Sequence, residues 1–274
     1  MATVVIPAGA GAGGVVLDAA AGTVTLQGIF SARQLTQAGG VLVSNQLALN
    51  TQAGVALSNG ANRISALNAS NTGSGDIVLA NGVPLNVLGL SNDSGNIQLV
   101  NTGAITTTGP VAAPKGNVSI TANSPLSIGL PGVNAGGSIS LVASNLTSAG
   151  NLTLDGPVRA GDRVILNAGN NLYQNSAVFG VNGVSATAGG GVFYGPLATA
   201  NNAPISYAAN GASVAAPPTE IGAGQAVVSD VINFGDKFSA DIQQLPATAS
   251  DFNRDGTRKH KAGDSVVSEG EVCR

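Results

Sequence analysis

Ahead of the C-terminal tail, the densest charged group is Asp155 and Asp162, interleaved with Arg159 and Arg163. Two carboxyls and neighbouring cations are what a polysaccharide lyase or hydrolase requires. One carboxyl moves a proton, the other acts across the scissile bond, and a cation steadies developing charge. Ion pairs within loops are the favoured reading of the same four residues. Asp76 aligns with Asn96, Asn117 and Ser138 one repeat apart, which makes a turn column, and Asp93 lies in another turn, "SNDSG". The one histidine, His260, is in the tail, so neither a Ser-His-Asp triad nor a histidine-rich metal site is expected. "GAGAGG" (Gly9 to Gly14) lacks the Lys-Ser/Thr and the helix of a phosphate loop.

Two more motifs lie in the tail. "DFNRDG" (Asp251 to Gly256) opens like a calcium loop, but Lys259 stands at the ninth position and Ala262 at the twelfth. A cation there loses its bidentate carboxylate and meets a like charge, so Asx-turns explain the motif better. "TRKHKA" gathers Arg258, Lys259 and Lys261 into a compact basic run. These three are the candidate site for an anionic ligand such as a sulfated polysaccharide; a solvated tail is the competing reading. Cys273 is the single cysteine, so no internal disulfide forms; a free thiol and an intermolecular bridge both stay open. "NLT" and "NAS" match a glycosylation pattern that so much Asn, Ser and Thr produces by chance.

The elements that must carry these residues are short strands. The chain has 274 residues, of which 43% are hydrophobic but only 3% aromatic, so its core is aliphatic. Charged residues make up 9%, against roughly 25% in ordinary globular domains. With 39 glycines and abundant Asn, Ser and Thr, this composition suits many turns and points to a secreted or surface protein. The net charge of −3 argues against a general nucleic-acid partner. No run is long and apolar enough for a transmembrane helix. The start lacks a basic n-region and reads as a first strand at Thr3 to Ile6, not as a signal peptide.

A fixed period organises the middle of the chain. "GDIVL" begins at Gly75, "GNIQL" at Gly95, "GNVSI" at Gly116 and "GSISL" at Gly137, at intervals of 20, 21 and 21 residues. "GNLTL" (Gly150) and "GDRVIL" (Gly161) continue the theme with a slipped spacing. A second strand follows each first by about eight residues: "PLNVL" (Pro84), "AITTT" (Ala104), "PLSIG" (Pro125), "NLTS" (Asn145) and "NNLYQ" (Asn170). Alternation of period two predicts half-buried strands. The near-constant interval favours a parallel β-helix over an antiparallel sandwich, because hairpins need no such phase. Ile77, Ile97, Val118 and Ile139 then form one inward column, and Leu79, Leu99, Ile120 and Leu141 the next. One coil cannot offset its own backbone ordering, about 1–2 kcal/mol per residue, so the coils must stack. About ten coils between residues 15 and 215 would span on the order of 50 Å.

"GNIQLVNTGAITTTG", "GNVSITANSPLSIG" and "GNLTLDGPVRAGDRVILNAGNNL" resemble the repeats of filamentous-haemagglutinin-like exoproteins, the passengers of two-partner secretion in Gram-negative bacteria. The resemblance covers roughly Gly40 to Leu172. It implies a right-handed parallel β-helix, export through an outer-membrane transporter and a role in adhesion. The chain carries neither a signal peptide nor the "NPNG"- or "NPNL"-like motif of the family's secretion domain, so it reads as a C-terminal segment of a longer passenger. Family members tethered by a cysteine pair differ from this chain, which has Cys273 alone.

The whole expectation is an all-β fold: a parallel β-helix over residues 1–216, a cap over 217–245 and a flexible basic tail over 246–274. Pro217 and Pro218 mark the first boundary. Val227, Val231, Phe234, Phe238, Ile242 and Leu245 recur at helical spacing and predict a partly helical cap. The predicted function is a secreted or cell-surface adhesin-like structural module with no enzymatic activity and no cofactor, its partner a host glycan or extracellular matrix. A β-helix polysaccharide lyase or hydrolase is the alternative. An ice-binding solenoid would need a Thr ladder that only "TTT" (Thr106 to Thr108) suggests.

Overall fold

A computed structural model describes residues 14–17, 23–25, 29–195, 198–199, 204–214, 219–221 and 225–227. The chain divides into two units, Met1–Ala226 and Val227–Arg274, and the elements below belong to the first apart from Val227. Among the described residues every regular element is a strand. The predicted first strand, the helical spacing beyond Val227 and the tail lie outside the described residues.

The strands stack in parallel as a β-solenoid with three faces. The first face is an eleven-stranded sheet that includes Ile77–Asn81, Ile97–Asn101, Val118–Ala122, Ile139–Ala143, Val164–Ala168 and Val184–Ala188. The pairing is in register: Ile77 lies on Ile97, Ile97 on Val118, Val118 on Ile139 and Ile139 on Val164. The inward columns are therefore those expected, and all eight of the aliphatic residues named for them are buried. Each coil buries a few such side chains, and each contributes about 1.5–3 kcal/mol.

The second face carries Ile105–Thr107, Leu126–Ile128, Leu152–Leu154, Leu172–Gln174 and Val192–Tyr194. The third carries Val111–Ala113, Val133–Ala135, Val158–Ala160 and Val178–Gly180, a strand set that the two-strand reading of the repeat omits. The long strand Leu85–Asn92 serves both, its front half pairing with Ile105–Thr107 and its rear half with Val111–Ala113.

The structure corrects the sequence reading in one coil. "NLTS" from Asn145 is a loop, and the second-face strand there is Leu152–Leu154, whose Leu152 pairs with Leu126. "GNLTL" is thus the delayed second strand, not a new first strand. The loop lengthens this coil so that Ile139 pairs 25 residues on, with Val164. Thr147 N–H and Thr147 Oγ1 both donate to Asn145 Oδ1, at 2.9 and 2.7 Å, so the loop is an Asx-turn and its Leu146 faces solvent.

Parallel stacking on the first face stops at Ile205–Ala209. Asn210 (φ 48°) and Gly211 (φ 74°) form a two-residue turn, and Ala212–Val214 returns antiparallel. Two successive residues with positive φ suit a type I′ hairpin, which "NG" favours. Beneath it the core changes character. Tyr207 is buried, donates to Gln174 Oε1 at 2.6 Å and packs edge-on to Tyr194.

Candidate functional site

Many of the described polar residues form ladders along the corners of the solenoid. The most regular ladder runs just before the first face. Asp76 Oδ1 accepts from the Asn96 backbone N–H at 2.7 Å. Asn96 Oδ1 accepts from Asn117 N–H at 2.9 Å, and Asn117 Oδ1 from Ser138 N–H at 2.7 Å. Ser138 Oγ then donates to Asp162 Oδ2 at 2.6 Å, and Asn182 Nδ2 to Asp162 Oδ1 at 2.9 Å. Each side chain satisfies the backbone donor, or the side chain, of the next coil. The Asp76 turn column is borne out, and Asp162 turns out to be a member of it.

Asp155 stands elsewhere. It lies before the third-face strand Val158–Ala160, and Asp162 lies after it, so a strand separates the two carboxyls. Asp155 accepts from Asn175 Nδ2 at 2.8 Å. Arg159 sits between them on that strand, exposed, and pairs in register with Asn134 and Phe179. Hydrogen bonds from Ser138 and Asn182 hold the Asp162 carboxyl below its ordinary value, aided by the adjacent Arg163 charge, while partial burial opposes. The carboxyl is thereby kept ionised, the opposite of what a general acid needs. Both aspartates are hydrogen-bonded to neighbouring coils, Asp155 to Asn175 and Asp162 to Ser138 and Asn182.

A second set of ladders is buried. Asn71 Oδ1 accepts from Thr51 Oγ1 at 3.0 Å and from Gly54 N–H at 2.9 Å; its amide donates to Asn92 Oδ1 at 2.9 Å. Asn81 donates to Asn101 at 3.1 Å and accepts from Ile64 N–H at 2.8 Å. Gln37 and Asn62 exchange reciprocal amide bonds at 2.8 and 2.9 Å. In later coils alanine takes over: Asn101 pairs with Ala122, which pairs with Ala143, then Ala168 and Ala188. These asparagines were missed as inward residues. The signal was present, because Ile77, Leu79 and Asn81 share one alternation and must point the same way.

Arg258, Lys259 and Lys261, with His260, "DFNRDG" and Cys273, lie outside the described residues. Among the described residues no group of three or more His, Cys, Asp or Glu side chains is placed to hold a metal ion. Among them, too, no helix is long and apolar enough to cross a membrane. In comparisons with known proteins, no family model, curated protein or solved structure matches the chain.

Proposed function

We propose that the chain is an adhesin-like structural module, a secreted or surface-displayed β-solenoid belonging to a longer exoprotein. The observation that carries this reading is the unbroken in-register stacking of the first face from Gly14–Leu17 to Ile205–Ala209. On this face each strand repeats its backbone geometry on the last, so its outward side chains form straight columns on a rigid support. The resemblance to filamentous-haemagglutinin-like repeats supports export by an outer-membrane transporter of the two-partner type. The low charge and the lack of internal disulfides fit a fold held by backbone ladders outside the cytoplasm. The basic run Arg258, Lys259 and Lys261 is the proposed contact for an anionic host glycan or matrix polymer.

The test is binding of the whole chain to an array of neutral and sulfated glycans, beside a variant with Arg258, Lys259 and Lys261 replaced by serine. The reading predicts binding to sulfated glycans that the variant loses. Release of unsaturated or shortened oligosaccharides, abolished by Asp155→Asn or Asp162→Asn, would replace it with the polysaccharide lyase or hydrolase alternative.

A further inference from the structure

The outward side of the first face carries no charge. Nine successive strands, from Gln34–Gln37 to Ile205–Ala209, present up to two outward side chains each, and none is Asp, Glu, Lys, Arg or His. Gln98 and Val100 are followed in register by Ser119 and Thr121, and further on by Ile165. Val100 and Ile165 are each 46% exposed. The charges beside this face stand at its corner, at Arg33, Asp76, Asp93, Lys115, Asp162 and Arg163. A neutral centre with a charged rim is the layout of a protein–protein interface.

We infer that this face pairs with the same face of a second copy of the chain. Three features select that occupant. The outward ridges repeat every ~4.8 Å along the stack, and a second copy has the same pitch, so two faces can mesh along their length. In a two-fold pairing every contact occurs twice, so an unpaired charge on the face is penalised twice, and a face without charges suits pairing with itself. The face measures ~38 Å along the stack by ~16 Å along the strands. Two such faces would bury roughly 1,200 Å², the lower end of the range for specific interfaces. The inference stands apart from glycan binding, which was placed on the tail.

Sedimentation of the full chain in reductant, across the micromolar range, tests it. The wild type is expected to show a concentration-dependent dimer. Val100→Lys with Ile165→Lys places two unpaired ammonium groups in the interface and should weaken association at least tenfold, about 1.4 kcal/mol. Ser127→Lys with Thr153→Lys, on the second face, should leave it unchanged. Far-UV circular dichroism checks folding; if the first pair fails to fold, Ser119→Lys with Ser185→Lys makes the same test. A monomeric wild type, or a dimer that first-face lysines leave intact, overturns the proposal. Equal loss from second-face lysines overturns it too.

Discussion

Asn71 and Asn92 are bonded side chain to side chain across one coil, Nδ2 to Oδ1 at 2.9 Å, inside a largely aliphatic core. Asn71 also faces the backbone oxygens of Ser74 and Gly75, both at 3.1 Å, while its own oxygen receives Thr51 and Gly54. The amide closes the corner between the third and first faces, where the ladder of neither sheet reaches.

Asn71→Ala should therefore cost about 3 kcal/mol or more, because buried partners on both sides lose their bonds at about 1–3 kcal/mol each. Asn117→Ala, in the exposed ladder, should cost about 0.5–1 kcal/mol, since water replaces the amide. Urea unfolding of the two variants beside the wild type makes the comparison. Equal effects would mean that the buried amides are not structural clasps.

The glycines that open the repeats do steric work. A Cβ on Gly95 would meet the backbone oxygen of Gly75, and one on Gly116 the backbone oxygen of Gly95. In both cases the nearest atoms are backbone, which cannot give way as a flexible side chain can. Gly95→Ala should cost about 1–3 kcal/mol by overpacking. Gly60→Ala, where a Cβ meets nothing within 4 Å, should be close to neutral. Thermal denaturation of the pair distinguishes the two sites.

Asp162 sets an acid-side pH dependence. Its carboxyl is held below the ordinary value of 3.8, so the folded state prefers it ionised. A depressed folded pKa contributes stability that is complete above the ordinary value and fades as pH falls through the folded one. Melting temperatures measured from neutral pH into that acid range should fall in the wild type. They should fall less in Asp162→Asn, which has no proton to take up there. Parallel curves for the two proteins would contradict the ladder's role.

Tyr207 sets the alkaline limit. Burial pushes its phenol well above the ordinary 10, with nearby Tyr194 adding to the shift and the bond to Gln174 opposing it. The folded state keeps the phenol neutral where the unfolded chain ionises it, so stability is full below pH 10 and declines above it. Tyr207→Phe should lose about 1–3 kcal/mol at neutral pH with the bond to Gln174, and show a weaker alkaline decline. Urea midpoints on both sides of pH 10 read both effects.

The solenoid was legible because Gly75, Gly95, Gly116 and Gly137 recur at a nearly constant interval ahead of alternating aliphatics. The third face was not. Its strands, such as Val111–Ala113 and Val158–Ala160, fill one of their two inward positions with a small alanine, so their alternation does not stand out from a turn. "NLTS" was misplaced because a loop of small polar residues carries the same residue types as a strand edge. The closing hairpin was announced by Asn210-Gly211, but solenoid turns elsewhere use the same residues. The hydrogen bonds that hold Asp155 and Asp162 to adjacent coils were not legible, because their partners Asn175, Ser138 and Asn182 lie 20 to 24 residues away in sequence.

In-register stacking sets the ladders, the glycine contacts and the neutral face alike, and distance along one outward column tests it most directly. Thr36, Ala56, Val78, Gln98, Ser119, Ser140, Ile165, Ser185 and Ser206 are paired in succession. Spin labels at Gln98 and Ser206, five coils apart, should lie ~24 Å apart, and labels at Thr36 and Ser206, eight coils apart, ~38 Å. Electron–electron dipolar spectroscopy on a Cys273→Ser background measures both. Distances that grow by ~4.8 Å per coil confirm the stack; two separations that do not scale with the number of coils contradict it.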